Sequence, residues 1–223
     1  MQIKAVLFDM DGLMFDTERL SDIIWHEIGK RFGYTLTAEH MALLRGRNRE
    51  GGKQAFLAHF GAAMPYDALW QAVMDEFEHR MAVSVPFRPY LTELLDFLKA
   101  EKIPMAVASS THRALVENHL RVAGLCDYFK AIVCGDMVEN GKPAPDIYLL
   151  AAKTLGVSPA DCMVLEDSCN GMRAGAAAGC FSVMVPDLDP VTDEMRTLAA
   201  AIVPSLHEVI DLIKEKNHVE CKK

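Results

Sequence analysis

Two aspartates two residues apart, Asp9 and Asp11, follow the first apolar run of the chain, Ile3 to Phe8. Side chains alternate across a strand, so positions 9 and 11 can face the same way as the chain leaves it. Two carboxylates this close repel each other, and both stay ionised only beside a cation. A later apolar run, Cys162 to Leu165, ends in Glu166, Asp167 and Ser168. Oxygen-only ligation by a few carboxylates, a carbonyl and waters suits Mg²⁺. A single aspartate at a strand end ordinarily caps a loop; several at one end of a sheet point to a cation site. Gly12 then suits a tight turn or a close backbone approach.

Two further groups could handle an anion. Ser109, Ser110 and Thr111 end another apolar run and open a helix, where free N–H groups and the helix dipole favour a phosphate, although an N-cap needs the same residue types. Lys142 stands in Asn140-Gly141-Lys142-Pro143-Ala144-Pro145, a loop stiffened by two prolines.

The elements that must position these residues alternate. Short apolar runs at Ile3–Phe8, Ile103–Ala108, Ala131–Cys134, Cys162–Leu165 and Phe181–Val185 read as strands covered on both faces. Helical stripes lie between them: Leu91, Leu94, Leu95 and Leu98; a helix from His112 to Ala123 on Leu115, His119 and Val122, stopped by Gly124; and Ile147, Leu150, Ala151 and Leu155, stopped by Gly156. Such alternation predicts an α/β fold, a doubly wound parallel sheet with ligands at the carboxyl ends of its strands. Between Asp11 and Ile103 the alternation breaks. A stripe of Leu20, Ile23, Ile24, Ile28 and Phe32 is followed by helical stretches at Ala38–Leu44, Arg49–Phe60 and Tyr66–Val83, and Pro86 and Pro89 punctuate the return. The expected organisation is a core of residues 1–14 and 88–223 with an inserted helical cap at 15–87. The polar tail from Lys214 is expected to fray.

Composition narrows the partners. The 223 residues carry 23 Lys+Arg against 31 Asp+Glu, a net charge of −8. That balance argues against nucleic-acid binding and against an anionic membrane surface. No run reaches the roughly 18–20 apolar residues of a membrane span, and the N-terminus lacks a signal-peptide pattern. A cytoplasmic protein with reduced thiols is expected, because none of the six cysteines forms a CxxC pair. No oligomerisation pattern is visible, so a monomer is expected.

Taken together, these segments resemble the haloacid dehalogenase superfamily, in the branch of β-phosphoglucomutase and small-metabolite phosphatases. Phe8-Asp9-Met10-Asp11-Gly12-Leu13-Met14-Phe15-Asp16-Thr17-Glu18 is similar to the first motif, Ala108-Ser109-Ser110-Thr111 to the second, Gly141-Lys142-Pro143-Ala144-Pro145-Asp146 to the third, and Glu166-Asp167-Ser168-Cys169-Asn170-Gly171 to the fourth. The resemblance implies a Rossmann-like core and a helical cap that closes over the site, with hinges near Phe15 and Pro86. It implies Asp9 as nucleophile, Asp11 as general acid and base, Ser109 on a phosphate oxygen, and Lys142 neutralising the phosphate and Asp9. Mg²⁺ would be held by Asp9, Asp11 (through its carbonyl), Asp167 and Glu166. Thr17, Ser110, Gly46 and Arg49 would contact substrate, the last two within the basic stretch Leu44-Arg45-Gly46-Arg47-Asn48-Arg49. A P-loop over Gly46 to Lys53 fails, because Gly52 holds the lysine position.

The implied activity is a Mg²⁺-dependent phosphatase of a small phosphorylated metabolite, such as a sugar phosphate. One departure bears on the alternative, a hexose-phosphate mutase. The mutase has a histidine ten residues after the second aspartate, where this chain has Ser21. A dehalogenase is disfavoured because Asp11 is present to serve a leaving group. A non-catalytic phosphate-binding protein is the remaining reading.

Overall fold

The computed structural model describes residues 2–45, 47, 49–188 and 190–218. It divides the chain into two compact units, residues 1–16 with 87–223, and residues 17–86.

Among the described residues the first unit is built on six parallel strands: β1 Ala5–Phe8, β2 Met105–Ser109, β3 Ala131–Cys134, β4 Cys162–Glu166, β5 Phe181–Met184 and β6 Ala201–Ile202. Their order is β3-β2-β1-β4-β5-β6. The order reverses at β1, so the crevice beyond the carboxyl ends of β1, β2 and β4 is the topological switch point. Register carries the polar residues there together: Phe8 pairs with Val107 on one side and Leu165 on the other. β1, β2 and β4 are buried throughout, as their unbroken apolar runs require.

The helix Asp146–Leu155 lies against β1, β2 and β3. Its buried face is Ile147, Tyr148, Ala151 and Ala152, whereas Leu150 and Leu155 are only partly covered. The face is thus turned from the one the leucines suggest, because the small alanines allow the helix to approach the sheet closely. Helix Arg113–Ala123 similarly buries Val116, His119 and Leu120. Gly124 and Gly156 end these two helices in left-handed conformation, as their positions predict.

β6, with two residues, is too short to register as a strand in sequence. Helix Cys169–Ala177 is masked in sequence by Gly171 and Gly175. A final helix, Leu206–His218, corrects the expectation of a frayed tail over residues 214–218, since Val209, Ile210 and Ile213 are buried and anchor it; the rest of that tail, 219–223, lies outside the described residues.

The segments that enter and leave the second unit pair with each other. Phe15 forms an antiparallel bridge with Phe87, the Arg88 amide donates to the Met14 carbonyl at 2.9 Å, and the two phenyl rings stack with centroids 6.0 Å apart. The second unit is helical: Thr17–Arg31, Ala38–Ala42, Arg49–Phe60 and Tyr66–Val83. It has its own core, including Ile24, Trp25, Ile28, Phe56, Leu69 and Val73. Ile23, expected on the apolar stripe, is half exposed. Among the described residues, no helix is long and apolar enough to cross a membrane.

Candidate active site

Asp9 leaves β1 with its amide bonded to the Leu165 carbonyl at 3.1 Å, which fixes it beside the end of β4. Its carboxylate accepts from Lys142 Nζ. The same ammonium donates to Glu166 Oε1 at 2.7 Å. Lys142 is almost wholly buried and Glu166 entirely so. One cation therefore lies between two buried carboxylates. Burial pushes the Asp9 carboxyl up, against the pull of Lys142. Burial would also raise Glu166, but Lys142 and hydrogen bonds from Tyr148 and Ser168 bring it below the ordinary glutamate value. Desolvation works against the Lys142 charge, yet Asp9 and Glu166 outweigh it and hold the ammonium protonated.

Glu166 is the hub of this arrangement. Oε1 also accepts from the Tyr148 hydroxyl at 2.6 Å, and Oε2 accepts from the amides of Asp167 and Ser168 at 3.2 and 3.1 Å and from Ser168 Oγ at 2.9 Å. Ser168 Oγ in turn accepts from the Gly171 amide at 3.0 Å, so one hydroxyl caps helix Cys169–Ala177 and ties it to the glutamate. Gly171 is obligatory, because a Cβ there would sit 1.7 Å from Glu166 Oε1.

Asp11 turns to different partners. Its Oδ2 accepts from Thr111 Oγ1 at 2.8 Å, with Ser109 Oγ at a long 3.5 Å. Burial raises the Asp11 carboxyl, with the Thr111 hydrogen bond opposing the rise. A raised carboxyl keeps its proton to higher pH than an ordinary aspartate, the direction a general acid needs. Neither Ser109 nor Thr111 caps the next helix; His112 does, its ring accepting from the Ala114 amide. Ser109 Oγ instead accepts from the Thr111 amide at 3.1 Å. Ser110 is exposed beside it.

Carboxylate oxygens of Asp9, Glu166 and Asp167 lie within 4.8 Å of one another. An all-oxygen set carrying this much negative charge fits a hard divalent cation. Glu166 has both oxygens engaged already, so Asp9 and Asp167 are the better direct ligands. Gly12 makes the approach possible. It has φ +82°, and a Cβ there would meet Asp167 Oδ2 at 2.2 Å.

Sequence reasoning missed Tyr148 and the Thr111–Asp11 bond. Tyr148 falls six residues after Lys142, on the inward face of the next helix; its hydroxyl in an otherwise apolar stripe was the available signal.

In the helical unit, Thr17 is buried at the first turn of its helix. Arg49 pairs with Asp67 at 3.1 Å and lies over the Trp70 ring at 4.2 Å, while Arg45 pairs with Asp22 at 2.5 Å. Each of these two arginines is paired with an acid of its own unit, Arg45 partly buried and Arg49 exposed. Gly46 lies outside the described residues.

The model of the haloacid dehalogenase-like hydrolase family matches residues 3–179. Among relatives, a phosphorylated carbohydrates phosphatase of Thermotoga maritima is 30% identical, covering 96% of this chain and 99% of its own. A β-phosphoglucomutase of Bacillus subtilis is 34% identical over 98% of this chain and 95% of its own. The crystal structure of a Deinococcus radiodurans hydrolase of the same family, with bound phosphate and sodium, superposes with a TM-score of 0.83 at 30% identity, covering 96% of each chain. Matches of this extent, on a fold that gathers the same four segments at one end of its sheet, fix the lineage: the chain belongs to the haloacid dehalogenase-like hydrolases.

Proposed function

We propose that the chain is a Mg²⁺-dependent phosphatase of a small phosphorylated metabolite, with sugar phosphates the favoured class, working through an aspartyl-phosphate on Asp9. The observation that carries this reading is Lys142 buried between Asp9 and Glu166, with Asp11 beside them on separate hydrogen-bond partners. The Thermotoga relative's activity on phosphorylated carbohydrates supports the substrate class.

An Asp9 oxygen attacks phosphorus as the bond to the leaving oxygen breaks, and Asp11 gives that oxygen its proton. Asp11, now a carboxylate, takes a proton from the water that attacks the aspartyl-phosphate. Lys142 offsets the charge of nucleophile and phosphoryl group, and the Ser109 and Ser110 hydroxyls donate to phosphoryl oxygens. A divalent cation held by Asp9, Asp167, the Asp11 carbonyl and, at its margin, Glu166 would supply further charge neutralisation between the two anions. Thr17, Gly46 and Arg49 are assigned to choosing the substrate. A cytoplasmic, monomeric protein completes the proposal.

The test is phosphate release from a panel of sugar and nucleotide phosphates. Release is expected with Mg²⁺, to be abolished by a chelator, and to be lost in Asp9→Asn. Full turnover by Asp9→Asn would overturn the mechanism. The likeness to a β-phosphoglucomutase gives the second reading its footing. Conversion of β-glucose 1-phosphate to glucose 6-phosphate outpacing phosphate release would establish it over the first.

A further inference from the structure

A second polar concavity lies at the opposite end of β2. There, the turn after helix Leu91–Ala100 and the loop before β3 border an open cavity of about 280 Å³. Three lysines line it, Lys99, Lys102 and Lys130, against a single carboxylate, Asp127. Elsewhere in this unit Lys4, Arg88, Arg113, Lys142 and Arg173 pair with acids. Among the described residues, none of the three cavity lysines pairs with a carboxylate. The wall of the cavity thus carries three ammonium groups with no carboxylate partner of their own.

The backbone holds one of them there against its preference. Lys102 has φ +57°, the left-handed region. It follows the C-cap Glu101, with the Ile103 amide bonded to the Leu98 carbonyl at 2.9 Å and the Lys102 amide to the Lys99 carbonyl at 3.2 Å. That is the Schellman arrangement, in which glycine is the ordinary choice at this position. A lysine here carries backbone strain that glycine would not, while adding a charge to the cavity wall. Lys99 is placed by the Tyr128 ring, its Nζ 4.8 Å from the centroid, and Tyr128 is itself anchored by a hydrogen bond to Asp96 at 2.5 Å.

We propose that this cavity is a second binding site, separate from the catalytic end of the sheet, which takes a small phosphorylated anion. Lysine favours phosphate over carboxylate here. Ammonium groups are compact point charges with rotatable donors that can meet tetrahedral oxygens from several sides, whereas planar, bidentate carboxylate recognition favours arginine, and no arginine lines the cavity.

Sodium pyrophosphate is the probe, titrated calorimetrically into the full chain without divalent metal at low ionic strength. The reference variant is Lys102→Gly/Lys130→Ala. Glycine satisfies the left-handed turn and position 130 is exposed, so this variant keeps its fold, which its melting curve verifies. Pyrophosphate is expected to bind the wild type, with one binding event weakened at least about tenfold in the variant, as the loss of a charge-assisted bond implies. Turnover of a phosphate ester is expected to be unchanged in the variant, so a failure here is distinguishable from a failure of the phosphatase reading. An identical isotherm in both proteins, or no binding to either, overturns the proposal. Citrate binding through the same lysines in preference to pyrophosphate overturns the assignment to phosphate.

Discussion

Gly12 shows how much one missing methyl group can matter. Its left-handed backbone and the closeness of Asp167 both exclude a side chain. In Gly12→Ala, the conformation alone costs about 1–2 kcal/mol. The Cβ must also push the Asp167 carboxylate away, and small misplacements of this kind cost roughly a hundredfold in rate. The expected result is a modest loss in denaturant midpoint with a disproportionate loss of turnover and weaker Mg²⁺ dependence. Tyr148 is the converse case, a residue with no place in the proposed chemistry that supports a group within it. Tyr148→Phe removes one donor from the buried Glu166 carboxylate and is expected to destabilise the protein by about 1–3 kcal/mol in urea unfolding. The aspartates, Ser109 and Lys142 were legible in sequence because polar residues stand out at the ends of apolar runs. Tyr148 and the bond from Thr111 to Asp11 were not, because the partners Glu166 and Asp11 come from distant segments that only the folded sheet brings near.

Elements were legible in proportion to the strength of their patterns. Leu91, Leu94, Leu95 and Leu98 all point inward as their spacing predicts. Helix Cys169–Ala177 was hidden because its glycines serve close contacts, Gly171 against Glu166 and Gly175 against Ser182, rather than helix propensity. The chain's return from the helical unit is secured by an ion pair that no local pattern announces: Arg88 to Asp187, with the guanidinium also donating to the Pro186 carbonyl at 3.2 Å. These side chains are 11% and 3% exposed. Arg88→Met deprives a buried carboxylate of its guanidinium, and a loss of about 3–5 kcal/mol is expected from chemical denaturation. The double replacement Arg88→Met/Asp187→Leu is expected to recover much of that loss, because it removes the stranded charge as well.

At the scale of the molecule, the parallel core was readable from its alternation and the helical unit from its interruption. Their separate cores explain why: each stretch of sequence obeys the period of the unit it builds. The bridge between Phe15 and Phe87 has a consequence for ancestry and engineering alike. Because the two ends of the insert are already hydrogen-bonded neighbours, the seventy residues from Thr17 to Pro86 form a loop whose closure the first unit supplies by itself. Replacing them by a short glycine–serine hairpin should therefore leave the sheet able to form, since the entropy of closing a short turn there is small. The shortened chain is expected to melt cooperatively, and loss of that transition would show that the sheet leans on its passenger. A fold with such a seam can exchange one module for another without redrawing its own topology, so new specificities can arise by grafting while the chemical end of the sheet stays as it is.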